Sequence, residues 1–330
     1  MTSLRTPRAT LAAVDVFRAL SRISGDVLRT PFLHAPWTSA PTAAEVHLKL
    51  ECLQRTGSFK VRGAFNALRQ LPQGTHVVTA SAGNHGRAIA CAAEALGLSA
   101  TIFTPRDAPR VKLQAIARHG ADLQAIADDY DDAERRAKRV AASSATTLVL
   151  ADDPAVIAGA GTIACEMFDQ LPELDAIVVP LGSGGLLSGI AIVAHAVAPE
   201  VEIIGVEAAA STAYSASLAA GRIVGITVQP TIAEGLAGNL AQDSVAFDYV
   251  RRLVDRVVTV EESALCEAIR DIAAHERVIT EGAGAAAVAA LLYGDLDIRG
   301  RRVAAVVSGG NIDMDRLRDV IRGRDDAPGE

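Results

Sequence analysis

Short β-branched segments alternate with helical patterns along most of this chain, and no other feature constrains the fold as strongly. From about residue 75 the alternation predicts strands at His76–Ala80, Ala100–Phe103, Leu123–Ile126 and Thr146–Leu150, separated by helices at Ala88–Leu96, up to Arg118, and at Asp131–Ala142. A strand–helix–strand unit places its two strands parallel in one sheet. This part of the chain therefore predicts an open parallel sheet.

The pattern resumes on a larger scale after Asp153-Pro154, where an aspartate precedes a proline suited to a first helical turn. The predicted strands are Ala176–Val179, Glu202–Val206, Arg256–Val260 and Arg302–Val307, and the predicted helices are 156–169, 186–197, 262–276, 284–292 and 314–321. The predicted fold class is α/β with two open-sheet domains. We expect a small domain at 76–152 and a large domain formed by 1–75 together with 153–330.

The composition excludes several classes of partner. The chain has 330 residues and a net charge of −7, without a long basic run, which disfavours nucleic acids and anionic membranes. The segment Ala176–Ala198 lacks charged residues, but its proline and four glycines oppose a spanning helix. Four distant cysteines without a C-x-x-C pair indicate a reducing compartment, so we expect a cytoplasmic protein with a small polar substrate.

The segment Thr56–Ala64 contains the first candidate functional residue. A serine or threonine cap is expected to open a helix there, with Lys60 in its first turn, near the positive end of the helix dipole. The dipole and burial both favour the neutral amine, which Schiff-base chemistry requires. A solvated surface lysine is an equally open interpretation of these residues alone.

Two small-residue loops follow predicted strands. Ser81–Gly86 precedes a helix whose free N–H groups suit a carboxylate, although on this segment alone an ordinary tight turn is the better explanation. Gly182–Gly189 offers consecutive N–H groups suited to one phosphate, since neither a nucleotide-loop lysine nor a dinucleotide spacing is present. Looser glycine pairs at 159/161 and 282/284 do not follow convincing strands. The histidines and cysteines show no metal-ligand spacing, so we expect no metal site.

A candidate buried lysine, a carboxylate-sized turn and a monophosphate-sized loop together describe pyridoxal 5'-phosphate bound to an amino-acid enzyme. The chain resembles the threonine/serine dehydratase and serine racemase group of fold-type II pyridoxal-phosphate enzymes, which have the tryptophan synthase β-like fold. The motifs that carry this resemblance are SFKVRGA at 58–64, SAGNHG at 81–86, GSGGL at 182–186, Val206-Glu207, Ala233-Glu234-Gly235 and SGGN at 308–311. The GNHGRA run is also similar to dehydratases of ectoine-utilisation pathways.

The resemblance implies a role for each matching residue. Lys60 would bond covalently to the cofactor and remove the substrate Cα proton, Asn84 would bind the cofactor 3-oxygen, and Ser308 would face the pyridine nitrogen. The implied cofactor-binding set is Phe59, Lys60, Asn84, Gly182, Ser183, Gly184, Gly185, Leu186, Gly235, Glu281 and Ser308. The substrate carboxylate would bind Ser81, Ala82, Gly83, Asn84 and His85.

The implied activity is a dehydratase, or ammonia-lyase, that removes water and ammonia from a threonine- or serine-like β-hydroxy amino acid. An amino-acid racemase and a non-catalytic binding homologue are the alternatives. Ala82 stands where racemases have a proton-donating serine, and Ala213 stands where their cation site has an aspartate six residues after Glu207. Both departures favour elimination to a 2-oxo acid without a divalent cation. We expect a homodimer or a higher homo-oligomer.

Overall fold

The computed structural model describes residues 10–143 and 145–324, so residues 1–9 and 325–330 of the predicted large domain lie outside it. The strands are β1 Phe32–His34, β2 Glu45–Leu50, β3 His76–Ala80, β4 Ser99–Pro105, β5 Asp122–Ala127, β6 Thr146–Leu148, β7 Ala176–Pro180, β8 Glu202–Ala208, β9 Arg256–Val260 and β10 Arg302–Val307. The helices are α1 Ala13–Ile23, α2 Ser39–Thr42, α3 Lys60–Leu68, α4 Asn84–Leu96, α5 Arg110–Ala117, α6 Tyr130–Ser143, α7 Pro154–Gln170, α8 Gly185–Val197, α9 Ala213–Ala220, α10 Val245–Leu253, α11 Glu262–Glu276, α12 Gly282–Tyr293 and α13 Met314–Ile321.

The strands form two open sheets. The larger has the order β1-β2-β10-β7-β8-β9, and only the β1–β2 pair is antiparallel. The smaller is parallel throughout, in the order β5-β4-β3-β6. The α/β prediction with two open sheets is therefore confirmed. All strands of the smaller sheet fall between residues 76 and 148, and the exact domain boundaries stay predictions.

The element bounds follow the sequence pattern closely, with one informative error. The bounds of β3, β9 and β10 agree with the prediction. Helix α4 begins at Asn84, four residues before the predicted start at Ala88, because the glycines at 83 and 86 are typical of a turn in sequence. The pattern did not predict β2, which lies inside the larger sheet.

Helices cover both faces of the larger sheet, and their close approach depends on glycine. Helices α7 and α8 cross at Gly161 and Gly189. A Cβ at Gly189 would lie 2.4 Å from the Ile157 carbonyl oxygen and 2.6 Å from the Gly161 nitrogen, so only glycine fits this contact. The glycine pair 159/161 therefore belongs to helix packing rather than to a dinucleotide loop. Ala176–Ala198 forms a strand, a loop and a helix, and no helix of the described ranges could span a bilayer.

Four charged side chains form a buried ion cluster, defined here as Lys49, Glu51, Arg62 and Glu166. Arg62 Nε lies 2.8 Å from Glu51 Oε2, and its Nη1 lies 2.6 Å from Glu166 Oε1. Lys49 Nζ donates to Glu166 Oε2 at 2.5 Å and to the Thr30 carbonyl at 2.8 Å. The ion cluster thus joins α3 to α7 and to the end of β2.

The electrostatics of the ion cluster are those of a fully paired set. Burial lowers the pKa of Lys49, and the neighbouring carboxylates only partly offset this effect. Burial alone would raise the pKa of Glu51, but the Arg62 guanidinium outweighs it and holds that pKa below its ordinary value. Removal of one member would therefore leave the opposite charge buried without compensation.

We expect Arg62→Met to destabilise the protein by about 3–5 kcal/mol, because Glu51 and Glu166 would each lose their main cationic partner in the interior. The measurement is the free energy of unfolding in urea. The matched control is Arg251→Met, since Arg251 pairs with Asp248 on the surface and should leave the urea midpoint close to that of the wild type. Equal midpoints for the two variants would contradict a stabilising role for the ion cluster.

Candidate active site

Lys60 is the first residue of α3, and the residue as a whole is partly buried. The cap position is Phe59, which provides no side-chain cap, so the predicted serine or threonine cap is wrong. Lys60 Nζ lies 4.8 Å from the centroid of the Phe59 ring. Burial lowers the pKa of Lys60 to about 8, although the carboxylates of Asp152 and Glu281 act in the opposite direction. A substantial fraction of the amine is therefore neutral near physiological pH.

The loop before Lys60 is joined to the loop that follows β10. The Phe59 N–H donates to the Ser308 carbonyl at 3.0 Å, and Ser58 forms an isolated antiparallel bridge with Gly309. Ser308 Oγ lies 3.4 Å from the carbonyl oxygen of Ala283, in the first turn of α12. The structure thus brings Ser308 next to the backbone that carries Lys60.

The turn Ser81–Gly83 joins β3 to α4. The Gly83 N–H donates to Ser81 Oγ at 3.1 Å, and the first hydrogen bond of α4 runs from the Arg87 N–H to the Gly83 carbonyl. The N–H groups of Asn84, His85 and Gly86 consequently have no acceptor within the helix. These N–H groups and the turn before them form a surface suited to an anion.

His85 is a neutral imidazole anchored to the backbone. Its Nε2 lies 3.1 Å from the Val149 carbonyl oxygen, which can only accept, so Nε2 carries the proton. Burial, and to a smaller extent the Lys60 amine, lower the pKa of His85 to about 4. The His85 ring therefore ties the start of α4 to the segment that follows β6. Because the ring is neutral, it does not attract an anion by charge.

The glycine loop 181–184 joins β7 to α8. Gly184 has a φ of 85°, and a Cβ there would lie 1.9 Å from the Tyr214 hydroxyl oxygen. That hydroxyl donates to the Ser183 carbonyl at 3.1 Å. Ser188 makes the first hydrogen bond of α8, so the N–H groups of residues 185–187 have no acceptor within the helix. The loop and this helix start suit a phosphate group.

Gly235 and Glu281 complete the set of predicted positions. A Cβ at Gly182 would lie 2.8 Å from the Gly235 carbonyl oxygen, so Gly235 borders the glycine loop. Glu281 precedes α12 and accepts from Asn84 Nδ2 at 2.7 Å. Burial raises the pKa of Glu281 to about 7, against the opposing effect of the Asn84 hydrogen bond. The structure therefore connects Glu281 directly to the turn at 81–85.

Several residues that the sequence prediction left out also belong to this region. Asp152 acts electrostatically on Lys60, Tyr214 supports the glycine loop, and Asn311 bonds to Asn84 at 2.7 Å. Asn311 stands in the SGGN motif and could have been included on that ground. Asp152 and Tyr214 have no local sequence signal, because their positions depend on contacts between distant segments.

The residues present fit the pyridoxal phosphate that the resemblance implies. Lys60 provides a weakly basic amine, and no hydrogen-bond acceptor for its Nζ is found in residues 10–143 and 145–324. Around it, three buried polar atoms also have no partner in the described chain: Thr56 Oγ1, Ser58 Oγ and His85 Nδ1. The glycine loop supplies the phosphate-sized cradle. An amine for an aldehyde and a cradle for a phosphate are the two features that this cofactor needs.

Comparison with known proteins agrees with this site. A family model described as pyridoxal-phosphate dependent enzyme matches residues 23–309. The chain is 39% identical over 311 residues to the L-threonine ammonia-lyase of Thermotoga maritima, covering 93% of this chain and 77% of that protein. It is 36% identical over 318 residues to the L-threo-3-hydroxyaspartate ammonia-lyase of Saccharomyces cerevisiae, covering 95% and 97%.

A solved structure extends the likeness to three dimensions. Maize serine racemase is similar with a TM-score of 0.87 and 31% identity, covering 96% of this chain and 98% of that one. The family model spans the lysine helix, the turn at 81–85 and the glycine loop. The chain belongs to the family of pyridoxal-phosphate-dependent enzymes.

Proposed function

We propose that this protein is a pyridoxal-phosphate-dependent ammonia-lyase that converts a β-hydroxy amino acid to a 2-oxo acid, with release of ammonia. The observation that carries the proposal is the Lys60 amine, which burial makes weakly basic at the start of α3. A protein that only bound an amino acid would not require such an amine. The lyase names of the two sequence relatives support the same reaction class.

Each predicted site residue receives a proposed role. The glycine loop would bind the phosphate through N–H groups, and the turn Ser81–Gly83 with the first turn of α4 would bind the substrate carboxylate. Phe59, Gly235, Glu281 and Ser308 would surround the ring, and Asn84 would donate to the ring oxygen. Ser308 offers a hydroxyl to the pyridine nitrogen rather than a carboxylate, so the ring is not forced to stay protonated.

The proposed chemistry follows from these roles. Pyridoxal phosphate, when bound, would supply the electron-withdrawing group that makes the Cα proton of the amino acid acidic. The neutral Lys60 amine takes the Cα proton, and the β-hydroxyl leaves with a proton as water. The remaining enamine adds water and gives the 2-oxo acid and ammonia. The substrate thus loses one water at the site and regains one in hydrolysis.

Elimination fits this site better than racemisation. A two-base racemase needs a proton donor on each face of the substrate Cα, and Ala82, which stands where racemases have the second proton-donating serine, has no proton to donate. Threonine and serine are the default substrates. The relative named L-threo-3-hydroxyaspartate ammonia-lyase makes a β-hydroxy amino acid with an acidic side chain a further candidate. The cytoplasmic location and the homo-oligomeric state stay predictions from the sequence.

Glu207 accepts hydrogen bonds from neighbouring residues of the chain, an arrangement that differs from that of a cation ligand. Its carboxylate accepts from the Tyr214 N–H at 2.7 Å, from the Ser215 N–H at 2.9 Å and from Ser215 Oγ at 2.6 Å. These donors belong to the first turn of α9, whose dipole favours the negative charge. No group of three or more metal-ligating side chains occurs among the described residues. Glu207 therefore binds the start of α9, and Ala213 provides no second carboxylate where racemases have an aspartate.

We expect Lys60→Ala to lower ammonia release from L-threonine or L-serine by ~10³-fold or more, because the proton-transferring amine is lost. The assay measures ammonia and 2-oxo acid across a panel that includes L-threo-3-hydroxyaspartate, with chiral analysis of the remaining amino acid. Lys138→Ala is the control, since Lys138 pairs with Glu134 at the surface. If the wild type forms D-amino acid and releases no ammonia, the result would contradict the lyase activity and support a racemase.

Cofactor uptake should depend on pH through Lys60. Only the neutral amine can bond to the aldehyde, so the rate of uptake by the cofactor-free protein should rise with pH and reach half its maximum near pH 8, the pKa of Lys60. Stopped-flow absorbance measures this rate. A half-maximum near 10.5, the ordinary lysine value, would show that burial does not activate this amine.

Activity should persist after treatment with EDTA, because both carboxylate oxygens of Glu207 already accept hydrogen bonds from the first turn of α9. The measurement compares ammonia release before and after dialysis against chelator, and again after addition of Mg²⁺ or Ca²⁺. A loss of more than half of the activity, restored by the cation, would contradict the assignment of Glu207 to the helix start.

A further inference from the structure

A chain of hydrogen-bonded amides passes from a cation to a carboxylate beside Lys60. Arg87 Nη1 donates to Asn311 Oδ1 at 2.7 Å, Asn311 Nδ2 donates to Asn84 Oδ1 at 2.7 Å, and Asn84 Nδ2 donates to Glu281 Oε1 at 2.7 Å. Asn311 Nδ2 also donates to the Thr56 carbonyl at 2.8 Å. We name Arg87, Asn311, Asn84 and Glu281, in this order, the amide relay.

The direction of the amide relay is fixed at Asn311. An asparagine side chain can turn by 180° and exchange its donor and acceptor ends. At Asn311 both partners forbid the exchange, because a guanidinium only donates and a backbone carbonyl only accepts. Asn311 therefore always presents its NH₂ group to Asn84, and Asn84 must accept this hydrogen bond with its Oδ1 atom.

The consequence for Asn84 is a defined donor end. Asn84 Oδ1 accepts from Asn311, so the NH₂ group of Asn84 points away from Asn311. One of the two NH₂ hydrogens is donated to Glu281. The other hydrogen has no acceptor in the part of the chain that the structure describes. The 3-oxygen of pyridoxal phosphate is an acceptor, so it needs this donor end and would be repelled by the amide oxygen.

We propose that Asn311 and Arg87 are positioning residues that set the orientation of the Asn84 amide, so that an N–H group and not the carbonyl oxygen meets the 3-oxygen of the cofactor. This inference rests on the proposed contact between Asn84 and that oxygen. The charges at the two ends of the amide relay support this proposal. A cation at Arg87 and a carboxylate at Glu281 align the amide dipoles between them in one direction, and aligned hydrogen bonds strengthen one another.

The amide relay also joins the two sheets of the molecule. Asn84 and Arg87 lie on α4, which packs on the smaller sheet, whereas Asn311 and Glu281 follow and flank elements of the larger sheet. The donor end of Asn84 is thus set by the docking of α4 against the loop at 308–311. The amide should be oriented before the cofactor binds, which reduces the cost of binding.

The test is a double-mutant cycle on the holoenzyme with Asn311→Asp and Asn84→Ala. Asn311→Asp replaces the donor by an oxygen that repels Asn84 Oδ1 and the Thr56 carbonyl, so the Asn84 amide should turn. We expect the dissociation constant of pyridoxal phosphate to rise about tenfold, or about 1.4 kcal/mol. At saturating cofactor, the near-ultraviolet band of the form with a protonated 3-oxygen should grow relative to the visible band.

The cycle separates positioning from simple loss of structure. If Asn311 acts through Asn84, Asn311→Asp in the Asn84→Ala background should change neither the dissociation constant nor the band ratio further. Additive effects would overturn the proposal, as would an unchanged band ratio in Asn311→Asp. Asn239→Asp is the control, because Asn239 bonds to the Ile226 backbone at the exposed surface, outside the amide relay, and should leave both readouts unchanged.

Arg87 provides a conservative series. Arg87→Lys keeps a donor-only cation and should retain the wild-type band ratio, whereas Arg87→Met should shift it in the direction of Asn311→Asp, by less because Thr56 still holds Asn311. Equal shifts for Lys and Met would overturn the role of Arg87. The dissociation constant and the band ratio can both be measured without turnover. If the wild-type protein binds the cofactor but releases no ammonia, the proposed lyase activity is refuted, and the proposal about the amide relay is still decided by these two measurements.

Discussion

The ion cluster beneath α3 is the constraint on which the site depends. Arg62 lies two residues after Lys60, and its guanidinium is enclosed between Glu51 and Glu166. Because buried charges are costly unless they are fully paired, the chain has essentially one way to place the first turn of α3. That placement holds the Lys60 amine away from bulk water, and the loss of water is the main reason for its low pKa. The low pKa of the Lys60 amine thus depends on the pairing of the four charges in the ion cluster.

The rest of the site is assembled from segments that follow strands of both sheets. The turn at 81–85 follows β3, the glycine loop follows β7 and the SGGN motif follows β10, as expected for ligands at the carboxyl ends of parallel strands. Within this common arrangement, Ala82 removes a proton donor, and Glu207 is bound by the start of α9. In the function that we propose, proton transfer at this site is therefore concentrated on one side chain, Lys60.

Much of this was predictable from the sequence, and the exceptions have physical causes. β-branched runs predict β3, β9 and β10 because Val and Thr favour the extended backbone of a strand. The glycine loop has a local signal of its own, whereas the residues around Lys60 also fit a surface lysine and gain their meaning from the family resemblance. The start of α4 was missed because small residues permit a helix as well as a turn. The direction of the amide relay and the position of Asp152 could not be predicted, since both result from contacts between segments distant in the chain.

The glycine contact between α7 and α8 has a consequence for the mechanical behaviour of the site. Helix α8 starts at the glycine loop, and α7 holds Arg62 through Glu166, so the contact at Gly161 and Gly189 sets the spacing between the phosphate cradle and the lysine helix. Backbone atoms in direct contact compress very little, as expected for a densely packed interior. This spacing should therefore stay almost constant under heating or hydrostatic pressure, and release of the bound vitamin should coincide with cooperative melting of the whole molecule instead of preceding it.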